Sequence, residues 1–297
     1  MTLRFDDRVA IVTGAGGGLG RAYALDLARR GAAVVVNDLG GDRDGSGSSD
    51  AAARVVAEIE ATGGRAIADG GSVTDEAAMH AMAARTIDRF GRIDILINNA
   101  GVLRDRSFAK MTMADFRFVV DVHLNGSATA THAVWETMRE QGYGRILMTA
   151  SSTGLYGNFG QANYGAAKLG IAGLAKTLHL EGAKYGIRVN TIAPTAGTRM
   201  TQDIFPETAF AAFTPESVAP AAVFLVSDDA PSNVIVGAGA GVFQAAYVTL
   251  TRGIRLGGED LNAEGVAGHW ARIADRSGEI VPQSGSEQAM SILRQLG

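Results

Sequence analysis

Cysteine is absent from this chain of 297 residues. Without thiols the protein can form neither a disulfide framework nor a thiolate metal site, and we predict no metal site from the sequence. Long hydrophobic runs are missing as well: no stretch of about eighteen apolar residues occurs, and the N-terminal segment MTLRFDDRVAIVTG lacks the apolar core of a signal peptide. The final residues RQLG are not a peroxisomal tripeptide. We therefore expect a soluble, cytoplasmic protein with no membrane partner.

The chain also lacks an excess of positive charge. Its 27 lysines and arginines against 31 aspartates and glutamates give a net charge of −4, which argues against a nucleic-acid partner and against an anionic membrane surface. Hydrophobic residues make up 46% and charged residues 20%, as in ordinary globular proteins. The length is enough for one large α/β domain with an extension, or for two small domains.

Short apolar segments rich in β-branched residues alternate with longer helical patterns. Strands that are apolar on both faces are typical of a parallel sheet, and regular alternation with helices predicts a doubly wound sheet between two helical layers. The predicted strands are 8–13, 32–37, 65–68, 93–98, 144–150 and 187–193. The predicted helices are 19–30, 50–62, 75–90, 113–141 and 162–185, several of them followed by a glycine at 31, 63, 91 or 186.

The alternation stops near residue 250. We predict one α/β domain over 1–250 and a C-terminal extension over 251–297, with helical fragments at 259–274 and 286–296. The extension is too short for a core of its own, so we expect it to dock on the domain or on a partner subunit. The segment GGDRDGSGSS, 40–49, is predicted to be a loop.

A glycine-rich loop follows the first predicted strand, in TGAGGGLG. A strict GxGxxG would need glycine at Leu19; the spacing here is instead set by Gly14, Gly18 and Gly20. Glycines let the backbone turn tightly and approach a pyrophosphate that then lies on the N-terminus of the following helix. Asp38, at the end of the second strand, is placed to accept hydrogen bonds from an adenosine ribose. Its charge favours NAD over NADP, although Asp38 could instead only open the polar loop, and Arg43 could soften the preference.

Three further segments suggest chemistry at an alcohol or a ketone. NNAG, 98–101, follows the fourth strand, Ser151 ends the fifth, and Tyr164 and Lys168 share a helix face. A lysine beside a phenol is expected to lower the phenol pKa from about 10, so that Tyr164 can exchange a proton with a substrate oxygen. A serine hydroxyl can hold that oxygen. The alternative is an ordinary exposed pair on a helix.

In this order and spacing, TGxxxGxG, NNAG and Ser-x12-Tyr-x3-Lys resemble the short-chain dehydrogenase/reductase family over residues 5–240. The resemblance implies a Rossmann-type fold, NAD(P) binding, Tyr164 as proton donor or acceptor, Lys168 on the nicotinamide ribose and Ser151 as the group that orients the substrate. It further implies that the cofactor contacts include Leu19, Ser72, Val73, Asn99, Ala100, Gly101, Pro194 and Thr198, in addition to the glycines, Asp38, Tyr164 and Lys168. Ser72 stands where many members have aspartate, and Thr195 follows Pro194 where glycine is usual.

Longer segments such as VVVNDLGGD, NNAGVLRDRSF and YGNFGQANYGAAK resemble the (3R)-hydroxyacyl-CoA dehydrogenase part of peroxisomal multifunctional enzymes. This implies NAD-dependent oxidation of a (3R)-3-hydroxyacyl-CoA to the 3-ketoacyl-CoA. The alternatives are a 17β-hydroxysteroid or other alcohol dehydrogenase, a 3-oxoacyl reductase, and a dinucleotide sensor without catalysis.

Substrate and subunit contacts are predicted less directly. Arg104 and Arg106 could meet CoA phosphates or could be plain surface arginines. In the family, helices matching 113–141 and 162–185 pair across a two-fold axis, which implies a homodimer or homotetramer. Candidates for an apolar acyl groove are Leu155, Tyr156, Phe159, Met200, Ile204 and Phe205.

The segment VVDVHLNGS holds two polar candidates, His123 and Asn125. The family uses an asparagine in this helix to support a water chain that carries the proton to solvent. With Gly126 as the anchor, that position corresponds to His123, and Asn125 falls on a variable position. Since a histidine can hold a water through either ring nitrogen, we predict a catalytic role for His123. The alternative is a core histidine without such a role.

Overall fold

The computed structural model describes residues 2–42, 44–47, 49–197 and 212–296. Within them, strands form one sheet in the order β3-β2-β1-β4-β5-β6-β7-β8. The strands are β1 Val9–Thr13, β2 Ala33–Asn37, β3 Arg65–Asp69, β4 Ile95–Asn98, β5 Gly144–Thr149, β6 Ile187–Pro194, β7 Ile235–Gly239 and β8 Val242–Ala246. Arg43 and the predicted contacts Thr198, Met200, Ile204 and Phe205 lie outside the described residues.

The strands β1 to β7 pair in parallel, and β1 is the point where the strand order reverses. Val12 of β1 faces Val36 of β2 on one side and Ile97 of β4 on the other. Every residue of β1, β2, β4 and β5 is buried, as their continuous apolar sequences require. Because the chain leaves β1 toward β2 and returns on its other side as β4, the loops after β1 and β4 diverge and open a crevice at the carboxyl edge.

Helices cover both faces of the sheet. They are α1 Gly18–Arg29, α2 Ala51–Ala61, α3 Glu76–Phe90, α4 Met113–Val120, α5 Gly126–Gln141, α6 Ser152–Tyr156, α7 Ala162–Gly182 and α8 Pro215–Leu225. On one face, α1, α2 and α8 pack around a core that includes Tyr23 and Ile59. On the other, α3, α5 and α7 pack around a core that includes Met79 and Met138. This arrangement confirms the predicted three-layer α/β/α fold.

The predicted helix over 113–141 is interrupted in the structure. Between α4 and α5, residues Asp121–Asn125 form a π-helical turn that contains His123. A π turn carries an extra residue per turn, so it changes which side chains face the sheet, and such turns often occur at functional sites. The strands β7 and β8 and the helices α6 and α8 were not predicted.

The glycines predicted to end helices do so in a left-handed backbone. Gly63 has φ of +81°, Gly91 of +79° and Gly186 of +71°. A residue with a side chain is strained there, so glycine gives the chain a low-cost way to leave the helix.

The chain divides into two compact units, Met1–Ala245 and Ala246–Gly297. Unit 2 contains 3-10 turns at Gly258–Asp260 and short helices α9 Ala263–Gly268, α10 Trp270–Ile273 and α11 Gly285–Leu293. Leu250 and Ile280 form an antiparallel bridge within it, with two N–H···O bonds of 2.9 Å. Among the described residues, none of the helices is long and apolar enough to cross a bilayer.

Candidate active site

The glycine loop after β1 is held in a conformation that requires glycine at two positions. Gly14 has φ of +63°, and a Cβ on Gly20 would lie 2.3 Å from the Gly14 carbonyl oxygen. Asn99, just after β4, donates from Nδ2 to the carbonyl oxygens of Thr13 (3.1 Å) and Gly14 (3.0 Å). The backbone N–H of Asn99 in turn donates to Thr13 Oγ1 at 3.0 Å. NNAG thus braces the loop from the neighbouring strand.

A cavity of about 300 Å³ opens between the loops after β1 and β4. No atom of the described residues lies within 4 Å of where a Cβ of Gly17 would be, so the loop backbone is open there. Such an open backbone at a helix N-terminus is suited to an anionic group. The predicted cofactor residues that line the cavity are Gly14, Gly18, Leu19, Asp38, Ser72, Val73, Asn99, Ala100 and Gly101. The lining also includes residues that were not predicted, Leu39, Val102, Phe118 and Val122 among them.

Four predicted cofactor residues of the described structure lie outside this lining: Gly20, Tyr164, Lys168 and Pro194. Gly20 packs behind the loop, against Gly14 and Asn99. Pro194 is the last residue of β6 and lies outside the described lining of the cavity. Gly20 allows the close approach of the loop backbone behind the cavity.

The Asp38 carboxylate is fixed at the edge of the cavity by backbone donors. Its Oδ2 accepts from the Gly16 N–H and its Oδ1 from the Gly40 N–H, both at 2.7 Å. Because each oxygen accepts from a backbone N–H, the carboxylate has little freedom to turn away from the cavity. It therefore presents a fixed negative charge there.

The third strand ends in an aspartate, although that residue serves the structure. Asp69 is buried, its Oδ1 accepts from Asn37 Nδ2 (2.7 Å) and from the Gly71 N–H (2.9 Å), and its Oδ2 pairs with Arg85. Ser72, which the family resemblance implied as a cofactor contact, lies beyond this turn and lines the cavity.

The structure brings Ser151, Tyr164 and Lys168 together beside the ends of β4 and β5. Ser151 is the N-cap of α6, and its Oγ accepts from the Thr153 N–H at 3.1 Å. Tyr164 and Lys168 lie one turn apart on α7, with the Lys168 Nζ 5.4 Å from the Tyr164 ring centroid. Lys168 is only 3% exposed, and its Nζ donates to the Thr149 carbonyl oxygen at 2.6 Å.

Burial dominates the protonation of this pair. It raises the pKa of Tyr164 to about 12, an effect that the Ser151 hydroxyl opposes and the Asp105 carboxylate reinforces. It also lowers the pKa of Lys168 to about 7. The expected lowering of the Tyr164 pKa by Lys168 is therefore not what the structure has, because desolvation disfavours the phenolate and the ammonium alike.

His123 is buried against the phenol ring of Tyr164. The two rings meet edge to face, with centroids 5.1 Å apart. The His123 Nε2 lies 2.8 Å from the Val102 carbonyl oxygen and 3.1 Å from its N–H, and Nδ1 has no hydrogen-bond partner in the described part of the chain. Burial, reinforced by the charge of Lys168, lowers the pKa of His123 well below its usual range. A neutral imidazole with a free nitrogen therefore lies beside the tyrosine.

Asn125 lies on the other side of the π turn. It is exposed, and its Nδ2 donates to Asp121 Oδ1 at 3.1 Å. The structure thus separates the two polar candidates of VVDVHLNGS and brings His123 alone next to Tyr164.

Several polar residues that the sequence did not single out organise the site. Gln161 is buried: its Nε2 donates to Asp105 Oδ2 (2.7 Å) and its Oε1 accepts from Thr153 Oγ1 (2.9 Å). Asn163, also buried, donates from Nδ2 to the Arg104 carbonyl oxygen at 3.1 Å. These bonds join the loop after NNAG to the start of α7. The sequence signal for Gln161 and Asn163 was their polar character just before the Tyr-x3-Lys motif. Their partners Asp105 and Arg104 could not be identified, because they are distant in the chain.

The two predicted CoA arginines differ. Arg104 donates from Nη1 to Asp115 Oδ1 (2.9 Å), and its guanidinium lies 4.0 Å above the Phe118 ring centroid. Its Nε also approaches the Asp44 carbonyl oxygen at 3.3 Å. Arg106 is exposed. Arg104 therefore ties α4 to the loop after β2, whereas Arg106 keeps its side chain at the surface.

Comparisons with known proteins agree with this geometry. A family model described as short chain dehydrogenase matches residues 8–209. Peroxisomal multifunctional enzyme type 2 of Mus musculus is 49% identical over 298 residues, covering 99% of this chain and 40% of that enzyme. The structure of full-length peroxisomal multifunctional enzyme type 2 from Drosophila melanogaster superposes with a TM-score of 0.82 and 38% identity, over 98% of this chain and 50% of that one.

A smaller protein of known structure is also similar. A 7α-hydroxysteroid dehydrogenase complexed with NADH and 7-oxo glycochenodeoxycholic acid superposes with a TM-score of 0.72 and 32% identity, over 80% of this chain and 95% of that one. The chain therefore spans half or less of the multifunctional relatives and nearly all of this smaller one. It belongs to the short-chain dehydrogenase family.

Proposed function

We propose that this chain is an NAD-dependent oxidoreductase that interconverts a (3R)-3-hydroxyacyl-CoA and the 3-ketoacyl-CoA. The observation that carries the proposal is the convergence of Ser151, Tyr164, Lys168 and His123 beside a glycine-lined cavity. A phenol, a hydroxyl and a buried cation around one point are the groups that proton transfer at a secondary alcohol requires.

A nicotinamide dinucleotide fits the residues of the cavity. The open backbone at Gly17 and the N-terminus of α1 would hold the pyrophosphate, and Asp38 would accept from the adenosine ribose. When bound, the nicotinamide supplies the hydride acceptor or donor. The fixed Asp38 carboxylate repels a 2′-phosphate, which supports NAD over NADP. The NADH in the similar 7α-hydroxysteroid dehydrogenase supports the same class of cofactor.

In this proposal each catalytic side chain handles the substrate oxygen or its proton. The Ser151 Oγ donates a hydrogen bond to the oxygen and orients it. The neutral phenol of Tyr164 donates its proton to a carbonyl oxygen in reduction, and the phenolate accepts the hydroxyl proton in oxidation. The Lys168 side chain lies beside the ring and carries its charge below its pKa of about 7; in that charged form it would stabilise the phenolate, and it would contact the nicotinamide ribose.

We assign His123 the position that an asparagine has in other members of the family. Its Nε2 is close enough to Val102 to be held there, so Nδ1 is left to bind a water. That water would receive the proton from the Tyr164–Lys168 pair. The low pKa of His123 keeps the ring neutral, so the proton passes along the water and does not stay on the imidazole.

The proposal of an acyl-CoA substrate rests on the resemblance to the multifunctional enzymes. This chain is 49% identical to the mouse enzyme. Tyr156 and Phe159 are 75% and 90% exposed next to the site, which supports a rim for an acyl chain. Arg106 is an exposed cation that a CoA phosphate could contact, whereas Arg104 is engaged with Asp115 and Phe118.

A steroid alcohol is the second candidate substrate. It is favoured by the 7-oxo steroid acid in the similar 7α-hydroxysteroid dehydrogenase. The 32% identity to that protein is lower than the 49% identity to the mouse multifunctional enzyme. A 3-oxoacyl reductase is a third candidate, with the same chemistry. A sensor without catalysis is disfavoured because Ser151, Tyr164 and Lys168 are all present and adjacent.

We also propose a homodimer or homotetramer. Leu169 and Leu180 of α7 are about half exposed, which supports pairing of this helix with a second copy. The cytoplasmic location stays a prediction, since relatives are named peroxisomal.

The test is a substrate panel. Purified protein is assayed with (3R)- and (3S)-3-hydroxyacyl-CoAs of graded length and with 17β- and 7α-hydroxysteroids, each with NAD and with NADP. We expect turnover of the (3R)-acyl-CoAs with NAD, at a kcat/KM at least tenfold above that with NADP. Turnover of steroids alone would favour the second candidate, and turnover of none would refute both.

A further inference from the structure

We propose that Glu76, His80 and His132 form a surface binding site for a divalent transition-metal ion of the Zn²⁺ type, joining α3 to α5. One ligand atom from each of the three side chains lies within 4.8 Å of the other two. The site is independent of the proposed dehydrogenase activity, and none of its three residues is among those that line the dinucleotide cavity.

The spacing of the ligands follows from helix geometry. Glu76 and His80 are four residues apart, so they lie one above the other on α3, with His80 Nε2 3.9 Å from Glu76 Oε1. His132 comes from α5, and its ring meets that of His80 edge to face with centroids 5.8 Å apart. Two helices thus supply a carboxylate and two imidazoles to one point.

The backbone beneath these side chains is rigid. Met79, next to His80, and Val134, two residues after His132, are completely buried in the same core on that face of the sheet. The helix positions are therefore fixed while all three ligand side chains are exposed. Exposure lets the metal and the carboxylate keep water, so no buried charge has to be created.

Two imidazoles and one carboxylate match a known class of metal site. Zn²⁺ accepts this donor set and completes its coordination with water, at metal–nitrogen distances of about 2.0–2.1 Å. A tetrahedral site places ligand atoms about 3.3 Å apart by that geometry, so the separations between the ligand atoms of these exposed side chains need to close by at most about 1.5 Å. The same nitrogen donors suit Ni²⁺ and Cu²⁺.

The experiment titrates the full chain, stripped with a chelator, with ZnCl₂ alone by isothermal calorimetry. We expect one Zn²⁺ per chain and at least tenfold weaker binding after His80→Gln or His132→Gln, with a smaller loss after Glu76→Gln. His269→Gln is the matched control, since His269 is a surface histidine 3.4 Å from the Asp260 carboxylate, and it should bind like the unaltered chain. Saturating Zn²⁺, at a hundred times Kd, should raise the Tm by about 5 °C.

The proposal is overturned if binding is not saturated by about 1 mM Zn²⁺. It is also overturned if the His80→Gln and His132→Gln variants bind Zn²⁺ as tightly as the unaltered chain. Cu²⁺ bound to the unaltered chain gives a measurement that does not depend on how the variants fold. Its electron paramagnetic resonance spectrum should show splitting from two imidazole nitrogens, and a spectrum of aqueous Cu²⁺ alone would contradict the site.

Discussion

At the scale of single residues, burial has more influence on this site than charge pairing. Sequence spacing placed Ser151, Tyr164 and Lys168 together, because a helical i, i+4 pair and strand-end positions follow from local rules. It could not give their pKa values, which depend on the desolvation that the fold imposes. It also could not show that Gln161 binds Asp105, since that bond joins distant parts of the chain.

The buried Lys168 makes stability depend on pH. Its folded pKa of about 7 lies below its value of 10.5 without burial, so between these pH values the unfolded chain binds a proton that the folded chain lacks. The free energy of unfolding should therefore rise with pH across that window. From pH 6 to pH 9 this contribution is roughly 2–3 kcal/mol, and it should vanish in Lys168→Met.

Urea unfolding of both proteins at pH 6 and pH 9 checks this expectation. The Lys168→Met variant should have its largest gain in the free energy of unfolding over the wild type at pH 6, and that gain should be roughly 2–3 kcal/mol smaller at pH 9. If the difference in the free energy of unfolding between the two proteins stays constant with pH, Lys168 is not a buried group that titrates in this range.

The two polar residues of the π turn should respond differently to removal. We expect His123→Ala to lower kcat about tenfold or more and to shift the pH profile, because it removes the nitrogen beside Tyr164. Asn125→Ala should leave kcat within about twofold, since Asn125 is exposed and bonded only locally in the described structure. Steady-state kinetics over a range of pH compare them. Loss of activity in the Asn125 variant alone would mean that the family's asparagine position corresponds to Asn125 and not to His123.

At the scale of elements, the sequence predicted those with regular patterns and missed those without. The strands through β6 and the helices through α7, except the short α6, were found because long apolar runs and helical periodicity are local signals. The strands β7 and β8 contain the glycine-rich segment IVGAGAGVFQAA, whose glycines have low strand propensity. The helix α8 carried a usable signal, since Thr214 caps it and Pro215 is its first residue.

The π turn could not be predicted because the apolar pattern of 113–141 runs through it without a break. Its consequence is close packing between elements: the His123 ring fills the space beside Gly101 after β4. An ideal Cβ on Gly101 would lie 2.2 Å from His123 Cε1. A side chain at 101 therefore has to displace the ring.

Gly101→Ala should lower the free energy of unfolding by about 1–3 kcal/mol and reduce kcat as strongly as His123→Ala does. Gly70→Ala is the matched control, because a Cβ there meets nothing within 4 Å. Denaturant unfolding and initial rates measure both effects. Normal activity in Gly101→Ala would show that the ring position has no bearing on turnover.

At the scale of the whole molecule, the buried residues and the candidate site both lie in unit 1. The described residues after Ala245 include none that is buried, and every residue proposed for catalysis or cofactor binding lies at or before Thr198 in the sequence. The sequence placed the start of the extension at 251, and the structure begins unit 2 at Ala246. A composition-based boundary is approximate because β8 ends without a marked change in hydrophobicity.

A chain that ends at Ala245 should accordingly still unfold cooperatively and bind NAD, as followed by circular dichroism and by calorimetry. We expect its substrate KM or its dimerisation constant to change, since the extension is proposed to act on the domain or on a partner. A truncated chain that matches the full chain in all these properties would leave unit 2 without such a role.

The proposed proton transfer by Tyr164 is tested most directly by comparing Tyr164→Phe with the wild type, using a (3R)-3-hydroxyacyl-CoA and NAD. The change removes one oxygen, the proposed proton donor and acceptor, and keeps the ring that packs on His123. We expect kcat to fall by a factor of about 100 or more while the Kd for NAD changes less than about twofold. Turnover equal to that of the wild type would contradict the proposed proton transfer.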